Sequence, residues 1–185
     1  MQFRKAADAT LQRLEHVAQG IVRYARLERV LAAVCLVIPA LLMGFDDGPI
    51  RDSISAYYDM EENQVFYFSL TVAAMLFIVN GVVKEKRAYN TVLGIMLAGL
   101  ILFNHEDASL LHASFAAAFF VGNAVVILVY SSKKERWFKA ILVAVIALSM
   151  LGYFVFAWFT LFWAEWLSFS IIALHYILES WGVID

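Results

Sequence analysis

Apolar residues fill long runs of this chain, and the polar residues fall between the runs rather than alternating within them. The runs are Val30–Phe45, Val65–Val83, Tyr89–Phe103, Leu110–Tyr130, Ala140–Phe159 and Trp166–Trp181. A helix needs about 20 apolar residues to cross the hydrocarbon layer, with roughly 17–25 as the usual range. Five runs reach or approach that length. Tyr89–Phe103, at 15 residues, needs local bilayer thinning or snorkelling flanks to span. The pattern therefore predicts an all-α membrane protein built as a six-transmembrane-helix bundle.

Ahead of the first run, Leu11, Leu14, Ala18, Ile21, Val22 and Ala25 recur at helical spacing, with Arg13, Arg23 and Arg26 left to other faces. Two readings of this leader stand side by side. It is an amphipathic helix lying on the cytoplasmic membrane surface, or it prolongs the first helix and packs on a neighbour. The domain division that follows is a cytoplasmic amphipathic leader at 1–29 and a six-helix transmembrane domain at 30–185. No small-residue cleavage pattern follows the first run, so no cleavable signal peptide is expected.

Composition strengthens the membrane reading. Hydrophobic residues make up 63% of the 185 and charged residues 16%, against about 45–50% and about 25% in soluble domains. A surplus of that size must face lipid. The net charge of −2 offers no basic surface for nucleic acid. Cys35 is the only cysteine, which excludes an intrachain disulfide and makes it a small buried hydrophobe.

The charges also orient the chain. With a cytoplasmic N-terminus and six crossings, 13 of the 14 basic residues fall inside and only Arg51 falls outside. That bias is what the positive-inside rule requires. Omitting the third helix would put Lys133, Lys134, Arg136 and Lys139 outside. The expected location is a cell (inner or plasma) membrane, multi-pass, with both termini cytoplasmic. Trp158, Trp163 and Trp166 then gather at the outer interface and Trp137 and Trp181 at the inner one.

Polar groups at membrane depth are costly and often functional. Asn80, Asn123, Ser149, His175 and Glu179 are such groups. His175 and Glu179 lie i, i+4 on one face and can hydrogen-bond, as a proton-handling or ligand-holding pair. Alternatively, Glu179 snorkels to the inner interface and His175 bonds a neighbouring helix. Asn80 and Asn123 read as interhelical glue. Ser114, Ala118 and Gly122 on one helix, and Gly94 and Ala98 on another, are small residues that allow close helix approach. They suit packing within the bundle or between copies of the chain.

The outer loops hold the densest polar set. The first includes Asp46, Asp47, Asp52, Ser53, Ser55, Tyr57, Tyr58 and Asp59, and the second reads Asn104-His105-Glu106-Asp107, with His112 following. His105, His112, Asp52 and Asp107 form a candidate metal set of the ligand types zinc accepts. Glu165 is placed in the short turn between the last two helices. No phosphate loop, nucleophile elbow, CxxC or HExxH is present, and the sequence identifies no cofactor.

The stretch Ser53-Ile54-Ser55 through Asp59, with Phe66 opening the second helix, resembles the six-helix family of damage-regulated autophagy modulators, Sfk-type proteins and their bacterial relatives. That family carries Ile-Ser-Asp in its first outer loop. Ile54-Ser55 fits, and Ala56 stands in place of the acid. The resemblance implies a small membrane protein linked to lipid or envelope processes, with no catalytic mechanism. His105, His112 and His175 are also similar to the histidine set of alkaline-ceramidase-like hydrolases. That family has seven helices and two histidines four apart on the last, where this chain has Glu179.

The leading expectation is a small polytopic membrane module that binds lipid or partner helices and assembles with copies of itself. The alternatives are a metal-dependent membrane hydrolase with an outer-face His/Asp site, or an oligomeric channel or transporter. The expected partners are membrane lipids and further copies of the chain, with no nucleic acid.

Overall fold

The computed structural model describes residues 2–83, 87–130 and 135–184, with side chains on the first helix from Tyr24 onward. Leu11, Leu14, Ala18, Ile21 and Val22 therefore have undescribed side chains, and Lys84, Lys86, Lys133 and Lys134 lie outside the described residues. The helices are α1 (Gln2–Phe45), α2 (Asn63–Val83), α3 (Ala88–Leu102), α4 (Ser109–Val129), α5 (Arg136–Phe154) and α6 (Leu161–Ser180). A short 3-10 helix, Ser55–Asp59, interrupts the loop between α1 and α2. No strand occurs among the described residues.

Five spans are long and apolar enough to cross a membrane: Tyr24–Phe45 within α1, and the whole of α2, α4, α5 and α6. Helix α3 has 15 residues, as its apolar run predicted. Helix α1 runs unbroken through residue 29, and at 1.5 Å per residue its 44 residues reach about 66 Å. That is roughly twice the hydrocarbon thickness of about 30 Å, so the helix has far more length than a crossing uses.

Each helix packs on its neighbours in sequence, and α6 closes the ring against α1. Glycine sets the closest approach. A Cβ on Gly94 would lie 2.7 Å from the Ala74 carbonyl of α2, and one on Gly122 would lie 2.7 Å from Leu93 of α3. These small residues are thus spent on packing inside the chain. Their pairings, together with Gly81 against Thr91 and Gly99 against Phe115, run antiparallel. Helices α2, α3 and α4 therefore alternate in direction.

Aromatic rings close the centre. Phe77, Phe119, Phe120, Phe169 and Tyr176 come from α2, α4 and α6 and meet at centroid distances of 5.3–5.8 Å, mostly edge to face. That geometry suits opposed ring quadrupoles and adds to the apolar burial. Large apolar side chains such as Phe68, Leu102, Leu110, Trp137 and Phe154 point outward instead. The bundle has an apolar inside and an apolar outside, as expected of helices solvated by lipid.

Helix limits moved at α5 and α6. The connection between them is 155–160 rather than the expected turn around 160–165. Lys139 and Glu165 consequently lie within helices, and both are buried. At the far end of α6, Gly182 takes φ +67°, a left-handed conformation that suits glycine. Its N–H reaches the Glu179 carbonyl and that of Val183 the Leu178 carbonyl, the Schellman closure of a helix.

Candidate functional site

Polar side chains concentrate at the two ends of the bundle. At one end the α2–α3 connection delivers Arg87 inward. Its guanidinium meets Glu28 Oε1 of α1 at 3.3 Å and Glu179 Oε1 of α6, and it covers the Tyr24 ring at 5.6 Å. Beside it runs a hydrogen-bonded chain. Tyr24 Oη donates to Asn80 Oδ1 (3.2 Å), Asn90 Nδ2 donates to the same oxygen (2.5 Å), and Tyr176 Oη donates to Asn90 Oδ1 (3.0 Å). Four helices and one connection are joined by one buried network. Asn80 Nδ2 and Glu179 Oε2 are buried without a partner. Lys139 Nζ, also buried, donates to the Tyr130 carbonyl at 3.3 Å and lies 3.7 Å from Glu135.

The other end is capped by the first loop. Arg51 Nε and Nη2 grip Asp46 at 2.6 and 3.4 Å, while Nη1 and Nη2 donate to the Ala56 and Asp59 carbonyls. The Asp46 carboxyl is held below its ordinary range by the hydrogen bond from Arg51. Two longer-range bonds fix the cap to α6. The Ile54 N–H donates to Glu165 Oε2 (2.7 Å) and the Phe162 N–H donates to the Asp52 carbonyl (2.7 Å). Tyr57 is fully buried against Phe162 at 5.8 Å, and burial raises its phenol. Burial, and then the neighbouring Glu106 carboxylate, push Tyr58 up to about 12.

Between these ends, a groove of about 700 Å³ opens sideways between α1 and α2. Val34, Val37, Leu41 and Phe45 form one wall, and Val65 and Phe68 belong to the other. In the first loop a separate recess of about 520 Å³ has Asp46, Arg51, Asp52 and Ala56 in its lining.

The residues expected to carry chemistry distribute as follows. His105 and His112 do meet, ring edge to face at 6.0 Å, and His112 Nδ1 lies 2.8 Å from the Phe103 carbonyl. Asp107 is held in a turn by Asn104, which it bonds through both backbone N–H and carboxylate. Asp52 stands on the first loop, exposed. Among the described residues no three of His, Cys, Asp and Glu converge to hold a metal. His105 and His112 are a pair, not a three-ligand set.

His175 is buried on α6 beside Tyr176, while Glu179 turns to Arg87. Asn80 bonds across helices, whereas Asn123 bonds the Phe119 carbonyl one turn back on its own helix. In the first loop, Ser53 Oγ accepts from the Ala56 N–H and pairs with Ser55 Oγ at 3.0 Å, which builds the turn into the 3-10 helix. Glu28, Asn90, Tyr176 and the groove residues carry no mark in the sequence, and nothing there assigns Tyr24, Arg87 or Glu165 to a site. Only their relation across the fold marks them.

Fold and composition define the class, a helical membrane bundle. A family model described as "Family of unknown function (DUF7103)" matches residues 37–180, and the chain belongs to that family. No curated protein matches the chain, and no solved structure matches it.

Proposed function

We propose that this protein is a six-pass membrane module, with both termini in the cytoplasm, that works by holding lipid. The observation carrying this reading is the α1–α2 groove, whose lining is apolar except for Gln64 and Ser69. Along α1 it runs from Ala33 to Phe45, about 18 Å at 1.5 Å per residue. One leaflet of a roughly 30 Å hydrocarbon layer is about 15 Å deep. The groove therefore has the length of a single acyl chain lying along the bundle. The aromatic packing at the centre argues against conduction through one protomer. The resemblance to the autophagy-modulator and Sfk-type family points the same way, toward lipid or envelope work.

A lipid carrying a photoreactive diazirine in its chain tests the reading. In nanodiscs of the full-length protein, label should concentrate on α1 and α2. Val37→Trp, which fills the groove without touching the polar ends, should lower that labelling several-fold. Equal labelling of all outward faces in both proteins would remove the case for a lipid site.

The topology is tested separately. It rests on the 13-to-1 division of basic residues, and Arg51 and Arg87 lie at opposite ends of the bundle. Glu62→Cys should react with an impermeant maleimide from outside intact cells, and Arg136→Cys only after permeabilisation. Reaction of both from the same side would overturn the orientation.

A further inference from the structure

Away from the groove and the buried network, the α3–α4 connection brings two imidazoles together. We propose that His105 and His112 form a two-nitrogen site for a first-row transition ion of the zinc and copper type, with water in the ion's remaining positions. The inference does not depend on the lipid-holding reading.

His112 carries the argument. It lies in the first turn of α4 and is only 6% exposed. Its Nδ1 is 2.8 Å from the Phe103 carbonyl. A carbonyl only accepts, so Nδ1 holds the ring proton, and in the neutral ring Nε2 holds the lone pair. Metal-binding histidines are built in this way. One ring N–H goes to a backbone carbonyl or a carboxylate, which fixes the tautomer and the ring plane, and the other nitrogen binds the ion. Among the described residues His112 Nε2 has no hydrogen-bond partner in the protein. A nearly buried nitrogen that no protein group satisfies calls for a partner from outside the chain.

The spacing suits an ion. Two imidazoles that each bind a shared ion at about 2.0 Å have ring centres about 5–6.5 Å apart, from tetrahedral to linear coordination. The His105 and His112 centres are 6.0 Å apart. His105 is exposed, so its ring can turn a nitrogen toward the ion while His112 stays fixed. Imidazole nitrogen selects zinc, copper or nickel, whereas calcium and magnesium require oxygens. The nearest carboxylates have other contacts. Asp107 is held by Asn104, and Glu106 lies beside the Tyr58 phenol. Their charge favours a cation at the pair without making them ligands. Since no third side chain converges among the described residues, the ion keeps positions open to water or to an anionic group.

Full-length protein in detergent, freed of any affinity tag and treated with chelator, would be titrated with Zn²⁺ in a calorimeter. Wild type should take one ion per chain, and excess Ca²⁺ should not displace it. His105→Ala changes an exposed side chain and leaves the fold intact, and it should weaken binding by about tenfold or more. Even losing an outer-shell partner costs about 10–100-fold. His112→Ala should do the same, with thermal unfolding as the check on its fold. Cu²⁺ bound to wild type should show electron-spin splitting from two nitrogens, reduced to one in His105→Ala. No Zn²⁺ uptake by wild type overturns the site. So does uptake that survives His105→Ala or yields to Ca²⁺, because the loop carboxylates would then hold an adventitious ion.

Discussion

Arg87→Ala is expected to destabilise the bundle by about 3–5 kcal/mol, the range for removing one partner of a buried ion pair. The guanidinium stands between two carboxylates, and the Glu28 and Glu179 side chains are only 2% and 5% exposed. Without Arg87, Glu179 retains a buried negative charge whose other oxygen already has no partner. The loss spreads further, because the same guanidinium covers the Tyr24 ring, and Tyr24 begins the hydrogen-bonded chain to Asn80. Helices α1 and α6 and the α2–α3 connection should loosen together. Thermal unfolding in detergent, read against wild type, measures the cost. Adding Glu179→Gln to the variant should recover part of it, since a neutral amide is far cheaper to bury than an unpaired carboxylate. A loss below about 1 kcal/mol, typical of an exposed pair, would contradict the buried clasp.

Arg87 also shows where sequence reading runs out. In sequence it is one basic residue among three after the second helix, and it counts toward the expected orientation. Its partners are 59 and 92 positions away, and no periodicity indicates that it turns inward. Lys139 and Glu165 failed for a related reason. Charged residues mark loop boundaries well in membrane chains, and on that rule both fall outside the helices. In the fold Lys139 finds the Tyr130 carbonyl, and Glu165 accepts the Ile54 N–H, each buried at a helix end. Glu165, whose partner is the backbone of a loop 111 positions away, looks in one dimension like a charge in water.

What was legible followed from solvation and local spacing. The six apolar runs became six helices because backbone groups in hydrocarbon must bond within their own segment. The short third run stayed short. Gly94 and Gly122 fell on helix contacts because their spacing matches the helical turn. The groove was not legible, because Val37 and Phe68 look the same in sequence whether they face lipid or a slot between α1 and α2. The distinction depends on how far two helices splay at the capped end. Hydrophobicity does not encode that distance.

Phe119→Ala should cost about 3–5 kcal/mol, the usual range for truncating a buried phenylalanine. Phe119 is fully buried and meets Phe77, Phe120 and Phe169 at 5.3–5.7 Å. Those rings come from three helices, so the cavity would sit where α2, α4 and α6 converge. Little can collapse into it, since the neighbouring rings already pack against one another, and a cavity that cannot relax lies toward the costly end of the range. Phe119→Leu should cost clearly less, because most of the volume is kept. Unfolding in detergent gives both values. The same variants test whether the centre is sealed. With Phe77, Phe169 and Tyr176 still in place, neither wild type nor Phe119→Ala should let protons or small ions leak across proteoliposomes. A leak in wild type would refute the sealed centre. A leak in Phe119→Ala alone would instead identify Phe119 as the barrier along the bundle axis.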